Sequence, residues 1–141
     1  MPKYKVIFNP FTSDLDFVST DTGHTVLTDI PVDPTVGVGD WVRMESGVAV
    51  RALADSRVHA NVIGVCEFKA GAAIGNIRVL GVTDSIFAGL DETLEYYLSD
   101  VNPGKMVTVP PSASGTVVIK VGQPYDATKF LVLKGIRFVK S

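Results

Sequence analysis

EYYLSDVNPGKMVTVPP, residues 95–111, is the stretch whose reading decides the fold. Along an extended chain Tyr96 and Leu98 fall on one side and Tyr97 on the other, which is the period of two of a β-strand. Asn102-Pro103-Gly104 is a turn, because proline presets φ at one position and glycine supplies a positive φ at the next. A second apolar run follows. Pro110-Pro111 cannot donate ladder hydrogen bonds, so it ends a strand over 105–109 or leaves that strand at a sheet edge. The stretch is a β-hairpin-like unit closed by a Pro-Pro corner, and it contains no histidine, cysteine or cluster of acids.

Outward from it, the alternation is β nearly throughout. In TVVIKVG, Val117, Ile119 and Val121 share one face, with Thr116, Val118 and Lys120 on the other. KYKVIF, NIRVLGV, GKMVTV, KFLVLKG and GIRFVK read the same way: short, β-branched or aromatic, and bounded by Gly, Pro, Asn or Asp. Strands at this spacing predict an all-β fold, a small sandwich or barrel. Thirteen glycines and eight prolines favour tight connections over long helices. Helix signals are confined to a turn or two over 49–60 and a short turn over 84–92.

The N-terminal part differs. Residues 9–40, NPFTSDLDFVSTDTGHTVLTDIPVDPTVGVGD, are rich in Thr, Asp, Pro and Gly with isolated apolar residues. They divide the chain into an extended N-terminal arm, residues 1–35, and a compact β domain, residues 36–141. Phe11, Leu15, Phe17 and Val18 are spaced as anchors rather than as a regular strand, and Phe8, Phe11, Leu15 and Phe17 are large apolar residues in a segment too irregular to bury them within its own short length. Asn9-Pro10 fixes an extended or turned backbone between them, because a residue before proline avoids the helical region. Phe8, Asn9, Pro10, Phe11, Leu15 and Phe17 are therefore the candidate docking residues, with Asp14 and Asp16 on the wet side. The competing expectation is that the arm folds back as an ordinary first strand of its own barrel.

The 141 residues fit one domain, and with 46% hydrophobic and 20% charged residues the chain has the material for a real core. A net charge of −2 without a basic cluster points away from nucleic acid and from membrane surfaces. No apolar run is long enough to span a bilayer. MPKYKVIFNPF lacks the features of a signal peptide, so folding in a reducing cytoplasm is expected. The single cysteine, Cys66, lies in the apolar run VIGVCEF and reads as a buried structural thiol.

No pattern of catalytic chemistry stands out. His24 and His59 lie far apart in polar connections, and no HExxH, CxxC, G-x-S-x-G or P-loop spacing is present. Asp14 and Asp16 alone are too few oxygen ligands for a hard cation. The expectation is of no enzyme activity, no cofactor and no metal. Trp41, Tyr96 and Tyr97 are candidates for subunit packing or for a surface aromatic platform that binds carbohydrate, core and interface packing being the simpler use of such rings.

The chain from VIGVCEF to FLVLKG also resembles a β module that recurs in tailed-phage virion proteins: head fibres, tail-fibre and collar proteins, and some capsid decoration proteins. The resemblance is carried by Gly64-Val65, Ala88-Gly89-Leu90, Tyr96 to Ser99, Pro103-Gly104, Pro110-Pro111, Val118 to Gly122 and Thr128 to Leu133. Residues 3–18 similarly resemble an NPFTG-x-LD opening found near the start of phage fibre and appendage proteins, with Ser13 where glycine is commoner. The resemblance implies a virion structural protein, made in the bacterial host cytoplasm, with other virion proteins and copies of itself, as a trimer, for partners. A carbohydrate-binding receptor module of a phage tail, with a host glycan as partner, is the alternative it leaves open.

Overall fold

The computed structural model describes residues 4–9, 14–19, 25–133 and 137–140. About 45% of the chain is strand and none of the described residues is helical, well above the strand content of roughly 20–25% typical of globular proteins. The fold is all-β.

Strands β3 (Val26–Pro31), β4 (Trp41–Glu45), β5 (Val48–Arg51), β6 (Val62–Gly71) and β7 (Ile74–Arg78) form one antiparallel sheet in the order β3-β7-β6-β4-β5. This sheet curls until its first and last strands meet: Val32 bridges Ala49, and the Asp33 amide donates to the Ala49 carbonyl at 2.9 Å. Val32, Val36, Val42, Ala49, Cys66 and Ile77 pack together on its inner face. The second sheet holds β8 (Gly81–Val82), β9 (Tyr96–Leu98), β10 (Met106–Val107), β11 (Val117–Pro124) and β12 (Phe130–Val132) in the order β10-β9-β11-β12-β8, with β13 (Arg137–Val139) also pairing β11. The two sheets enclose the main core, in which Trp41 and Val65 from the first meet Leu98, Val117, Ile119, Val121, Phe130 and Val132 from the second. Along β4 and β6 alternate residues therefore serve different cores: Trp41 and Val65 face the second sheet, Val42 and Cys66 the inner face.

The opening stretch joins the two sheets. Lys105 donates its amide to the Asn102 carbonyl, and Gly104 has φ 77°, the arrangement of a type II turn with Pro103 and Gly104 at its centre. Gly104 then accepts the Trp41 amide at 2.7 Å and donates to the Ala52 carbonyl at 2.7 Å, so the turn is stitched onto the first sheet. A side chain there would lie 3.1 Å from Arg51 and Asp40, which is why the close approach needs glycine. Tyr96 and Leu98 are buried and Tyr97 is half-buried, as the alternation predicts. The strand before the Pro-Pro corner is shorter than expected, Met106–Val107.

Three further expectations are corrected. Val26–Pro31 is a strand of the first sheet, so the compact fold begins there and not at residue 36. Residues 14–19, expected to be irregular, form β2, which pairs in register with β1 (Tyr4–Asn9). The segment 49–60 contributes β5 and then turns; one bond from the Ala60 amide to the Ser56 carbonyl is all that resembles a helix. Ala49, Ala52, Ala54 and Ala60 are fully buried, so their small side chains are used for close packing of the sheets.

Candidate functional site

Among the described residues the strand pair β1–β2 is a two-stranded sheet of its own, outside the ladders of the two larger sheets. Its register sets Tyr4 opposite Ser19, Val6 opposite Phe17 and Phe8 opposite Leu15; between these lie Lys5 opposite Val18, Ile7 opposite Asp16 and Asn9 opposite Asp14. Cross-strand partners share a face and successive residues alternate. Tyr4, Val6, Phe8, Leu15 and Phe17 thus belong to one face with Ser19, while Asp14, Asp16, Asn9 and Lys5 belong to the other with Ile7 and Val18. Of the candidate docking residues, Phe8, Leu15 and Phe17 are brought to one face and Asn9 to the opposite one. Pro10 and Phe11 lie outside the described residues, as does His24.

The candidate aromatics separate. Trp41 and Tyr96 are core residues, 1% and 8% exposed, so neither forms a surface platform for a sugar ring. Phe130 gathers them: its ring centroid lies 5.5 Å from Trp41 and 5.7 Å from Tyr96, both edge-on, and 5.9 Å from Phe87. Edge-to-face contact of this kind is favoured by the ring quadrupoles. The Tyr96 hydroxyl accepts the Asp91 amide at 3.0 Å. Tyr97 alone reaches the surface. Its hydroxyl donates to Glu95 Oε2 at 2.8 Å, and Glu95 also accepts from Lys120 at 3.0 Å. The Lys120 and Tyr97 bonds hold the Glu95 carboxyl below its usual value, and the same carboxylate pushes the Tyr97 hydroxyl up.

Two grooves flank Tyr96 and Met106. The larger, about 700 Å³, runs along the stretch 99–112 and carries exposed Val101 and Val109 at its rim. The other, about 430 Å³, lies between Val38 and the segment 86–90. Cys66 is buried and donates its thiol to the Phe68 carbonyl; burial pushes its pKa up, as suits a structural thiol. His59 pairs with Asp55 at 2.7 Å on the surface. Among the described residues no group of three or more His, Cys, Asp or Glu is placed to hold a metal ion, and no helix is long and apolar enough to cross a membrane.

Compared with protein-family models, with curated proteins and with solved structures, the chain matches none of them.

One polar feature was invisible in the sequence. Arg43, in the run DWVRME, and Arg57, in DSRVHA, come together with Asn61 around a third groove. Their separation along the chain follows no motif, and only the pairing of β4 with β6 brings the segments side by side.

Proposed function

We propose that this chain is a structural subunit of a tailed-phage virion: a fibre, adaptor or capsid decoration protein, without catalytic activity, that docks on neighbouring virion proteins and assembles with copies of itself as a trimer. The observation that carries the reading is the separateness of β1–β2. An isolated two-stranded hairpin is at best marginally stable in water. Among the described residues β1–β2 joins the ladder of neither larger sheet, and its register sets Tyr4, Val6, Phe8, Leu15 and Phe17 at positions of a single face. A neighbouring virion protein covers that face, apolar side to apolar side, while Asp14 and Asp16 remain toward water. The resemblance of residues 3–18 to the opening of phage fibre and appendage proteins supports the same role, as do the turn glycines of the β module, Gly89 at φ 67° and Gly104 at φ 77°.

The glycan alternative is weaker, because two of the three aromatics that would serve it are in the core. The test is location. Electron cryomicroscopy of particles of the phage that encodes the chain, with and without its gene, is expected to show a three-fold difference density on the particle surface. Purified particles that lack the protein would overturn the proposal.

A further inference from the structure

Arg43 and Arg57 line a groove of about 320 Å³ with Met44, Val58 and Asn61. The Arg43 side chain is only 12% exposed, and its Nε is buried with no hydrogen-bond partner among the described residues. Glu45 pairs with the guanidinium at 3.7 Å, beyond hydrogen-bond reach, and is itself largely in solvent. A mostly buried cation is thus left with little compensation, and buried charges are ordinarily paired. Arg57 adds a second, exposed guanidinium, and among the described residues no carboxylate lines the groove. This is a cationic site in a chain whose net charge is −2.

We infer that this groove receives a carboxylate from an acidic polypeptide segment of a neighbouring protein chain. Guanidinium groups match a carboxylate through parallel, charge-assisted hydrogen bonds, which makes arginine the residue for such a site. The rest of the groove selects a peptide over a free anion. Val58 is 71% exposed and Met44 39% exposed, so apolar surface stands directly beside the two cations. A hydrated phosphate gains nothing from that surface, whereas an aspartate or glutamate with an apolar neighbour fills both parts. The Asn61 amide offers a donor and an acceptor to the peptide backbone. The volume suits a few side chains and not a folded element. The inference is independent of the virion reading, since any neighbouring chain of this chemistry fits.

The test is a nitrogen-15 NMR titration of the full-length protein with the acetylated, amidated peptide Ala-Asp-Leu-Asp-Ala. Shifts are expected at Arg43, Met44, Arg57, Val58 and Asn61. Arg57→Gln, at an exposed position that leaves folding undisturbed, is expected to weaken binding about tenfold, the loss of one charge-assisted contact. Arg57→Lys, which keeps the charge without the planar fork, is expected to fall between. The carboxamide peptide Ala-Asn-Leu-Asn-Ala and sodium phosphate are expected to leave these signals in place. Equal shifts with phosphate would reduce the groove to a counter-ion site, and equal shifts with the carboxamide peptide would reduce it to an apolar patch; either result overturns the inference. So does unchanged affinity in Arg57→Gln, or the absence of shifts at millimolar peptide.

Discussion

Lys105 Nζ lies 2.7 Å from Asp40 Oδ1, a contact that fastens the hairpin of one sheet to the residue that leads into β4 of the other. The Asp40 side chain is 5% exposed and also accepts the Gly37 amide at 2.9 Å, while the lysine is largely in solvent. The two ends of the pair should therefore respond unequally. Asp40→Ala leaves the Gly37 amide without its partner and is expected to cost about 2 kcal/mol in denaturant unfolding. Lys105→Met removes an exposed charge and is expected to cost less than about 1 kcal/mol. Equal losses would mean that the ion pair, and not the buried carboxylate, joins the sheets.

Glu67 and Arg78 form a more deeply buried pair across β6 and β7. Arg78 Nε donates to Glu67 Oε2 at 2.6 Å and Nη2 to Oε1 at 3.3 Å, and the same carboxylate accepts the Asp84 amide at 3.0 Å. Breaking a buried pair on one side leaves a charge stranded. Glu67→Ala is expected to destabilise by about 3–5 kcal/mol, and Glu67→Leu with Arg78→Met by clearly less than the sum of the two single changes. A double-mutant cycle by urea unfolding checks this.

Backbone geometry gives a third expectation. Gly122 has φ 146° where β11 passes β12, and a Cβ there would lie 2.0 Å from the Leu131 carbonyl oxygen. Gly47 also has a positive φ, 81°, but faces open space. Gly122→Ala is expected to unfold the chain or cost more than about 3 kcal/mol, and Gly47→Ala about 1–2 kcal/mol. Thermal unfolding separates them, and similar losses at both sites would refute the close approach.

The sequence made the second sheet legible because apolar residues recur at every second position in its longest strand: Val117, Ile119 and Val121 do face the core. It hid the start of the first sheet. In β3 the register shifts between Leu27 and Ile30, and Asp29 takes φ 54°, so apolar residues lose their period of two and the strand resembles a loop. The closure of that sheet rests on Val32 and Ala49, a long-range pair without any local signal. For β2 the alternation of Asp14 and Asp16 with Leu15 and Phe17 was visible, but its pairing with β1 was not, because pairing belongs to two segments at once. The Arg43–Arg57 groove was beyond reach for the same reason.

Acid sensitivity follows from three turns of one design. Asp33 and Asp91 each accept the side-chain hydroxyl and then the amide of the threonine two residues on, Thr35 and Thr93. Asp126 accepts the amides of Thr128 and Lys129. These bonds hold all three carboxyls below their ordinary value of 3.8. A carboxyl lowered in the folded state stabilises it at every pH above the unfolded value, and the contribution disappears as pH falls through the lowered values. Stability measured by urea is therefore expected to be level from pH 7 to about pH 5 and to decline below about pH 4. Replacing the three aspartates by alanine should make the decline shallower, leaving the part that Glu95 contributes. An unchanged acid slope in that variant would place the titrating groups elsewhere.

The arm provides the last prediction. Among the described residues β1 and β2 pair only with each other, whereas both larger sheets begin and end within residues 26–139. Deleting residues 1–19 removes the hairpin without taking a strand from either ladder, so the truncated chain is expected to keep its β circular dichroism and cooperative unfolding. Under the proposed virion role it is also expected to be missing from the particle, because the face bearing Val6, Phe8, Leu15 and Phe17 goes with the deletion. The full-length change of Phe8 and Phe17 to serine should reproduce the loss, since these residues share that face from opposite strands. Asp14→Asn with Asp16→Asn, on the other face, should leave incorporation intact. Quantitative mass spectrometry of purified particles reads all three variants. Normal occupancy of the truncated chain would show that the hairpin is not the anchor. Failure of the truncated chain to fold would show that the arm's apolar face covers its own domain.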